Sequence, residues 1–198
     1  MPRTPAAVER ALTDFEQVLL GFIGANPRSG YELKRLFQAS PAGVYKPSDG
    51  ALYPALRRLE ERGFLRSEAT MSGLRARRVY RATAAGRAAT QEWVSQPIDP
   101  NSVGRDLGLH LVRFVLMEGV VPPSEVQAFL ADLVGALEGF IKDVEHYVAS
   151  TPFPGRHPRL ALEHGVAVHR ASLGWARSAM ATLAEPPEQA KGRAGPER

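Results

Sequence analysis

The N-terminal half of the chain alternates short helical patterns with two strand-length segments. Apolar residues at helical spacing predict four helices, over about residues 13–25, 29–38, 48–62 and 83–95. Thr13 with Glu16, and Ser29 with Glu32, have the spacing of capping boxes and predict where the first two helices begin. Ser48 is placed to cap the third helix. The segments between the last two helices are short enough for the strands of a hairpin, over about residues 64–70 and 77–83.

Three helices, a two-stranded hairpin and a fourth helix, in this order, are typical of a winged helix-turn-helix domain. The sequence therefore predicts such a DNA-binding domain at about residues 10–95. The proline-rich segment 96–100 is the expected linker at its end.

The C-terminal half has a different pattern, with two long series of apolar residues at alternating spacings of four and three. The first series is Val126, Leu130, Leu133, Leu137, Phe140, Val144 and Tyr147. The second is Leu162, Val166, His169, Leu173, Ala176, Met180 and Leu183. The turn-forming segment 151–158 separates them and predicts an antiparallel pair of helices, each roughly 40 Å long. The small N-terminal domain cannot cover seams of that length, so an identical subunit is the simplest expected partner.

The predicted architecture is therefore mainly α with a small β-hairpin wing: an N-terminal winged helix-turn-helix plus a C-terminal long-helix dimerisation domain at about residues 103–184. Residues 185–198 are almost devoid of apolar side chains, and we expect a disordered tail there.

Positive charge is concentrated in the N-terminal half. The 198 residues carry a net charge of +4, yet residues 57–87 alone hold nine arginines against Glu60, Glu61 and Glu68. Such a cluster suits a polyanion such as DNA, although a membrane surface or an RNA would satisfy the same charge.

Several classes of function are disfavoured by what the sequence lacks. There is no cysteine, which excludes disulfides and zinc sites built on cysteine pairs. His164 and His169 are five residues apart and no HExxH motif occurs, so neither a metal nor another cofactor is expected. P-loop and G-x-S-x-G motifs are also absent, so we do not expect an enzyme. The most apolar segment, 107–121, is interrupted by charged residues, which favours a cytoplasmic protein without a membrane span.

The segment Ser48-Asp49-Gly50-Ala51-Leu52-Tyr53-Pro54-Ala55-Leu56-Arg57-Arg58-Leu59-Glu60-Glu61-Arg62-Gly63 resembles the recognition-helix signature of the PadR family of winged-helix transcriptional regulators. The resemblance continues upstream in Leu19-Leu20-Gly21 and Ser29-Gly30-Tyr31-Glu32-Leu33, and downstream in Arg78-Val79-Tyr80-Arg81-Ala82-Thr83 with Gly86-Arg87. It covers about residues 15–95, whereas the C-terminal half is similar only in the arrangement of its helices. The resemblance implies repression as the default function, and a small aromatic effector bound between the DNA-reading and dimerising parts.

The candidate DNA contacts lie on the predicted reading helix, its approach and the hairpin. Tyr53 can reach a phosphate or a thymine methyl group, and Arg57 and Arg58 can read guanine edges or bind phosphates. Arginines around the hairpin turn can enter the minor groove. The alternatives are a tyrosine packed on the hairpin and arginines on a solvated surface. The full set is Lys34, Lys46, Ser48, Tyr53, Arg57, Arg58, Arg75, Arg77 and Arg78.

Two further residues are candidates for ligand binding. Trp93 can form a stacking wall for an aromatic effector, or it can simply belong to the core. His169 occupies a position in an otherwise apolar seam, where it can fix helix register, sense pH, touch a ligand or act as a hydrogen-bonded core histidine.

The preferred function is a DNA-binding transcriptional repressor that binds an inverted-repeat operator as a homodimer. The first alternative is a helical protein-interaction adaptor whose winged domain does not bind DNA but uses the arginine cluster for an acidic partner. An enzyme with a site between the long helices is a second alternative, disfavoured because the sequence lacks inward Glu-x-x-His motifs.

Overall fold

The computed structural model describes residues 10–39, 47–72 and 75–184, with the backbone alone for residues 71, 72, 75 and 76. The helices are α1 (Asp14–Ala25), α2 (Gly30–Ala39), α3 (Asp49–Glu61), α4 (Ala84–Val94), α5 (Val103–Met117), α6 (Pro123–Ser150) and α7 (Arg156–Ala184). The strands are β1 (Arg28–Ser29), β2 (Leu65–Ser72) and β3 (Arg75–Ala82), and a short 3-10 turn spans Pro100–Ser102. This confirms the predicted fold class, mainly helical with a small β-hairpin wing.

Side-chain caps explain where three of the helices begin. Both expected capping boxes are present: the Glu16 backbone N–H donates to Thr13 Oγ1 at 3.3 Å, and the Glu32 N–H donates to Ser29 Oγ at 3.3 Å. Thr83 accepts from the Gly86 N–H at 3.1 Å and starts α4. Ser48 does occupy the N-cap position of α3, but its side chain makes no capping hydrogen bond, contrary to the expectation. The Ser48 carbonyl oxygen accepts from the N–H groups of Ala51 and Leu52, as in a regular first helical turn.

The wing is the hairpin of β2 and β3, in a three-stranded antiparallel sheet of order β1-β3-β2. Its register runs from Leu65 opposite Ala82 to Ser72 opposite Arg75. The two-residue strand β1 was not predicted from the sequence, and it pairs Arg28 with Tyr80. Through β1, the start of α2 is connected to the wing.

The structure divides into two compact units. The first contains the described residues up to Gln96 together with Leu111–Val120, and the second contains Pro97–His110 together with the described residues from Val121 onwards. Helix α5 is thus shared, and its backbone departs from helical angles at Asp106. Residues 111–120 therefore group with the winged domain, although the sequence placed them in the helical domain at 103–184. The predicted tail at 185–198 lies outside the described residues.

The core of the first unit is formed by the inner faces of α1, α2 and α3. The fully buried side chains there include Val18, Leu19, Leu20, Leu33, Leu52, Leu56 and Leu59. The predicted inward face of α3 is therefore correct, and it leaves the opposite face of this helix to solvent.

In the second unit, α6 and α7 form an antiparallel hairpin. Gln127 near the start of α6 bonds to the Met180 carbonyl near the end of α7, whereas Glu145 near the end of α6 pairs with Arg170, further back along α7. The central residues of the two predicted seams are buried, among them Leu133, Leu137, Val166 and Ala176. The two seams cover each other within one chain, so helix length alone does not require a second subunit.

Candidate nucleic-acid interface

The outward face of α3 carries the residues expected to read DNA. Tyr53 is 44% exposed, and Arg57 and Arg58 are also exposed, whereas Leu52, Leu56 and Leu59 on the same helix are fully buried. The helix therefore offers a polar surface to a partner while its apolar surface holds it in the core.

Tyr53 owes its position to a glycine on α2. A Cβ atom added to Gly30 would lie only 2.6 Å from Tyr53 Cε1, so the ring rests directly on the first residue of α2. Any larger residue at position 30 would displace the ring. This contact couples the first helix of the helix-turn-helix pair to the side chain at the start of the second.

The neighbouring arginines Arg57 and Arg58 have different environments. Arg57 makes no ion pair or side-chain hydrogen bond with any residue that the structure describes. Arg58, in contrast, donates from Nε to Glu16 Oε1 at 2.7 Å, and the Glu16 side chain is only 6% exposed. Arg58 therefore connects α3 to a buried carboxylate on α1.

The Glu16 carboxylate is stabilised in its charged form. Burial acts to raise the pKa of Glu16, but hydrogen bonds from the Thr13 backbone and from Arg58 outweigh burial and bring the pKa below its ordinary value. Removing Arg58 from this site would leave a buried charge without its cation, which costs far more than the loss of an exposed pair.

Two arginines of the wing are bonded to carboxylates of the helix-turn-helix unit. Arg78 donates from Nη2 to Glu60 Oε2 at 2.7 Å and from Nε to Ser67 Oγ at 2.5 Å. Arg77 pairs through Nη2 with Glu32 Oε1 at 2.5 Å. The pKa of Glu60 is lowered, chiefly by the Ser67 hydroxyl and also by Arg78. The pKa of Glu32 is lowered chiefly by the Ser29 backbone N–H, with Arg77 contributing.

The other predicted contacts lie near the start of α3 or outside the described part of the chain. Lys34 pairs with Asp49 at 2.8 Å, and this hydrogen bond raises the pKa of Lys34. Ser48 is exposed just before α3. Lys46 and the side chain of Arg75 lie outside the described residues.

A cleft of about 560 Å³ lies between α3, the start of α2 and strand β3. It brings together four of the predicted residues, Tyr53, Arg57, Arg77 and Arg78. Its other lining residues, which were not predicted from the sequence to contact DNA, are Ser29, Gly30, Tyr31, Glu60 and Tyr80. A groove that combines guanidinium groups with aromatic hydroxyls suits phosphates and base edges.

The acidic partners of the arginines were not predicted from the sequence. Glu16 and Glu32 were recognised only as members of capping boxes, and each in fact divides its two oxygens between its cap and an arginine distant in sequence. Glu60 was counted only as a negative charge. The sequence does show many arginines close to acidic residues, which indicates that ion pairs form. It does not indicate which arginine pairs with which carboxylate.

The two candidate ligand-binding residues are both buried in their own units. Trp93 is 5% exposed in the first unit. In the second unit, His169 Nδ1 lies 2.7 Å from the Gly165 carbonyl oxygen and Nε2 lies 3.2 Å from that of Val103, with the Phe140 ring at 4.5 Å. These contacts are those of a hydrogen-bonded core histidine, one of the alternatives that the sequence left open.

Within residues 10–39, 47–72 and 75–184, no three His, Cys, Asp or Glu side chains are grouped so that they could hold a metal ion. Among the helices described, none combines the length and the hydropathy that crossing a bilayer requires.

Comparisons with known proteins show similarity to transcriptional regulators. Residues 19–92 match the Transcriptional regulator PadR-like family. Over 48 residues the chain is 60% identical to the transcriptional regulator Rv3488 of Mycobacterium tuberculosis, a match that covers 24% of this chain and 45% of that relative, less than half its length. Over 176 residues it is 24% identical to the negative transcriptional regulator PadR of Bacillus subtilis, covering 83% of this chain and 94% of that protein.

Two crystal structures of Bacillus subtilis PadR are also similar. The complex with operator DNA matches with a TM-score of 0.43 at 19% identity, over 88% of this chain and 99% of that one. The complex with p-coumaric acid matches with a TM-score of 0.40 at 17% identity, over 87% of this chain and all of that one (100%). Rv3488 of Mycobacterium tuberculosis and PadR of Bacillus subtilis both carry the name of a transcriptional regulator rather than of an enzyme. This agrees with the non-enzymatic function expected from the sequence.

Proposed function

We propose that this chain, whose residues 19–92 match the PadR-like family of transcriptional regulators, represses transcription by binding an inverted-repeat operator as a homodimer in the cytoplasm. The observation that carries this proposal is the cleft between α3 and the wing, where Tyr53 and Arg57 face outward beside the wing arginines Arg77 and Arg78. Helix α3 would enter the major groove, and the wing would follow the flanking minor groove.

The basic residues differ in how free they are to contact DNA, because some of them already form bonds within the protein. Arg57 is exposed and forms no ion pair with a described residue, so it can bind a guanine edge or a phosphate without breaking an internal bond. Arg77 and Arg78 use part of their hydrogen-bonding capacity internally and keep further N–H groups for phosphates. Arg58 is the weakest candidate because its departure would expose the buried Glu16 charge.

The remaining predicted contacts would bind the DNA backbone. Lys34, Ser48 and Lys46 precede or flank the start of α3, and Arg75 follows the hairpin turn. Contacts of this kind position a protein on the duplex without reading its sequence.

A second copy of the chain is the proposed partner of α7. Leu160, Val168 and Trp175 are 57%, 43% and 37% exposed, respectively. Their spacings of eight and seven residues place them within about 80° of one another around the helix. An apolar stripe of this kind on a helix already packed along its other side favours burial against a twin stripe across a two-fold axis.

The effector is proposed to be a small aromatic compound. The Bacillus subtilis relative has been crystallised with p-coumaric acid, and this supports the same ligand class for the present chain. Trp93 and His169 are the candidate contacts. Such a ligand relieves repression only if it binds more tightly to a dimer geometry that does not fit the operator.

Selection from a random duplex library with the purified full-length chain, at fixed near-physiological salt, tests the function. Recovery of an inverted repeat is the expected result, and Arg57→Ala should lose enrichment at one base position of each half-site. Enrichment of no sequence by a folded dimer would contradict the proposal and favour the protein-interaction adaptor. Enrichment of a single, unrepeated half-site would contradict the homodimer.

A further inference from the structure

Three side chains from three elements form a closed hydrogen-bonded triangle at the border between recognition helix and wing. Glu60 of α3 accepts from the Ser67 hydroxyl of β2 at 2.6 Å and from Arg78 of β3 at 2.7 Å. Arg78 closes the triangle by donating to the same Ser67 hydroxyl at 2.5 Å. Its guanidinium carbon also lies 5.7 Å from the centre of the Tyr80 ring. We call Glu60, Ser67 and Arg78 the wing bridge.

The wing bridge is placed where the wing leaves the core. The buried side chains of the described part of the hairpin, Leu65, Tyr80 and Ala82, all lie at its base. Beyond Ser67, residues 68–70 of β2 are exposed. Among the described residues, Ser67 is therefore the outermost residue of β2 with a side-chain hydrogen bond to α3, and further out along β3 Arg77 pairs with Glu32 on α2.

The part of β2 beyond Ser67 extends away from the core, so a small rotation at the bridge becomes a large displacement at the end of the wing. From Ser67 to Ser72 the strand extends over five further residues, or about 16 Å at roughly 3.3 Å per residue. A rotation of about 10° at the base would move the end of the strand by about 3 Å. That is the full length of a hydrogen bond, so a loosely held wing cannot keep a fixed register with the groove.

We propose that the wing bridge fixes the angle between the wing and the recognition helix, and that Glu60 is thereby a positioning residue that determines operator specificity. The proposal rests on the function proposed above. Glu60 itself touches no DNA in this scheme, because its charge would repel phosphates. Its role is to hold Arg78 and Ser67 so that wing and helix contact the same operator simultaneously.

The direction in which one substitution changes the affinity for the operator distinguishes this positioning role from a simple effect of charge. Glu60→Gln removes a negative charge from a DNA-binding surface, and by charge alone it should tighten binding to every duplex. In the wing bridge, however, Arg78 and Ser67 donate to different oxygens of Glu60, and glutamine replaces one of these oxygens by an NH₂ group that cannot accept a hydrogen bond, so the triangle opens. Positioning therefore predicts weaker binding to the selected operator, together with unchanged or tighter binding to unrelated duplexes.

Glu61→Gln is the matched control. Glu61 is the next residue on the same helix, it is exposed, and it makes no ion pair or side-chain hydrogen bond with the described residues. It therefore undergoes the same change in charge without touching the bridge. Ser67→Ala is the complementary variant, because it removes two hydrogen bonds of the triangle and leaves every charge in place.

The experiment measures dissociation constants for the selected operator and for an unrelated duplex at several salt concentrations. Amide hydrogen exchange of β2 and β3 is measured in the same full-length variants. We expect Glu60→Gln and Ser67→Ala to lower the ratio of operator to unrelated affinity about tenfold or more and to speed exchange in the wing. Exchange in α1 should stay unchanged, which establishes that the domain is still folded. Glu61→Gln should leave both the ratio and the wing exchange as in the wild type.

Several results would overturn the proposal. If Glu60→Gln tightens binding to both duplexes as Glu61→Gln does, Glu60 only weakens the positive field. If wing exchange is unaltered in Glu60→Gln and Ser67→Ala, the bridge does not hold the wing. If exchange rises but the affinity ratio stays constant, the wing angle does not determine specificity. A wild-type protein that prefers no sequence contradicts the proposed function itself, and this outcome is recognised before any variant is compared.

Discussion

Replacing Gly30 by alanine should weaken operator binding while leaving the fold at least as stable. The added Cβ would lie 2.6 Å from Tyr53 Cε1, whereas ordinary contacts begin near 3.4 Å, so the ring must retreat by about 0.8 Å. Tyr53 is exposed enough to move, and because Gly30 has no positive φ, alanine there should stabilise the fold by about 0.4–1 kcal/mol, chiefly by restricting the unfolded chain. The melting temperature should therefore stay level or rise.

The same displacement should be costly at the DNA. A hydrogen bond donated by the Tyr53 hydroxyl to a phosphate oxygen, at about 2.5–3.0 Å, is lost when the hydroxyl moves away by nearly an ångström. A bond to a charged phosphate contributes about 1.5–3 kcal/mol, which corresponds to a loss of about tenfold or more in affinity for each half-site. Fluorescence anisotropy with the selected operator measures this loss, and Tyr53→Phe should reproduce it.

Gly24→Ala provides the control for this prediction. Gly24 lies in α1, and its added Cβ would meet nothing closer than the Ala82 Cβ at 4.0 Å. This variant should gain helix stability and bind the operator as the wild type does. If Gly30→Ala also binds with wild-type affinity while remaining folded, the position of the Tyr53 ring has no part in DNA recognition.

Three further predictions concern charge, pH and assembly. Arg57→Ala should cost about 1–3 kcal/mol on the operator and change preference at one base position, whereas Arg77→Ala should weaken binding more uniformly across sequences, as measured by titration of single-base operator variants. Because the folded-state pKa of Glu16 lies below its ordinary value of 4.5, its stabilising contribution is present above that value and is lost as the pH falls through the folded-state pKa. Glu16→Gln should therefore lower the melting temperature at neutral pH and reduce its decline in acid; an unchanged acid decline would contradict this. Trp175→Glu should convert the dimer to a monomer in sedimentation velocity, and a dimer that persists would place the interface elsewhere.

Local patterns in the sequence were sufficient to predict most of the elements. The capping boxes of Thr13 and Ser29 consist of hydrogen bonds between residues only three apart in sequence, so they form independently of the rest of the fold. The two-residue strand β1 has no periodicity of its own and forms only because β3 lies alongside it. The deviation in α5 at Asp106 likewise has no marker such as a proline within the helix.

The composition of the cleft depends on contacts that no local pattern encodes. Arg58 and Glu16 are separated by 42 residues, and the pair forms because α1 and α3 pack side by side. A helical wheel of α3 places Arg57 and Arg58 alike on its polar surface, yet only Arg58 lies within reach of a carboxylate on α1. Sequence reasoning could therefore name the arginines of the site but not distinguish between those committed to the fold and those available to DNA.

This distinction changes the meaning of the arginine cluster. Carboxylates of α1 and α2, Glu16 and Glu32, enter from outside the segment 57–87 and neutralise Arg58 and Arg77, so the positive charge of the segment overstates what DNA encounters. The partly exposed pair of Arg77 with Glu32 contributes only about 0–1 kcal/mol and can be exchanged for a phosphate at little cost. The pair of Arg58 with the buried Glu16 cannot, because a buried carboxylate without its cation is strongly destabilising. Attraction to the duplex thus comes from exchangeable arginines, while the geometry of the reading surface is maintained by those that stay bonded within the protein.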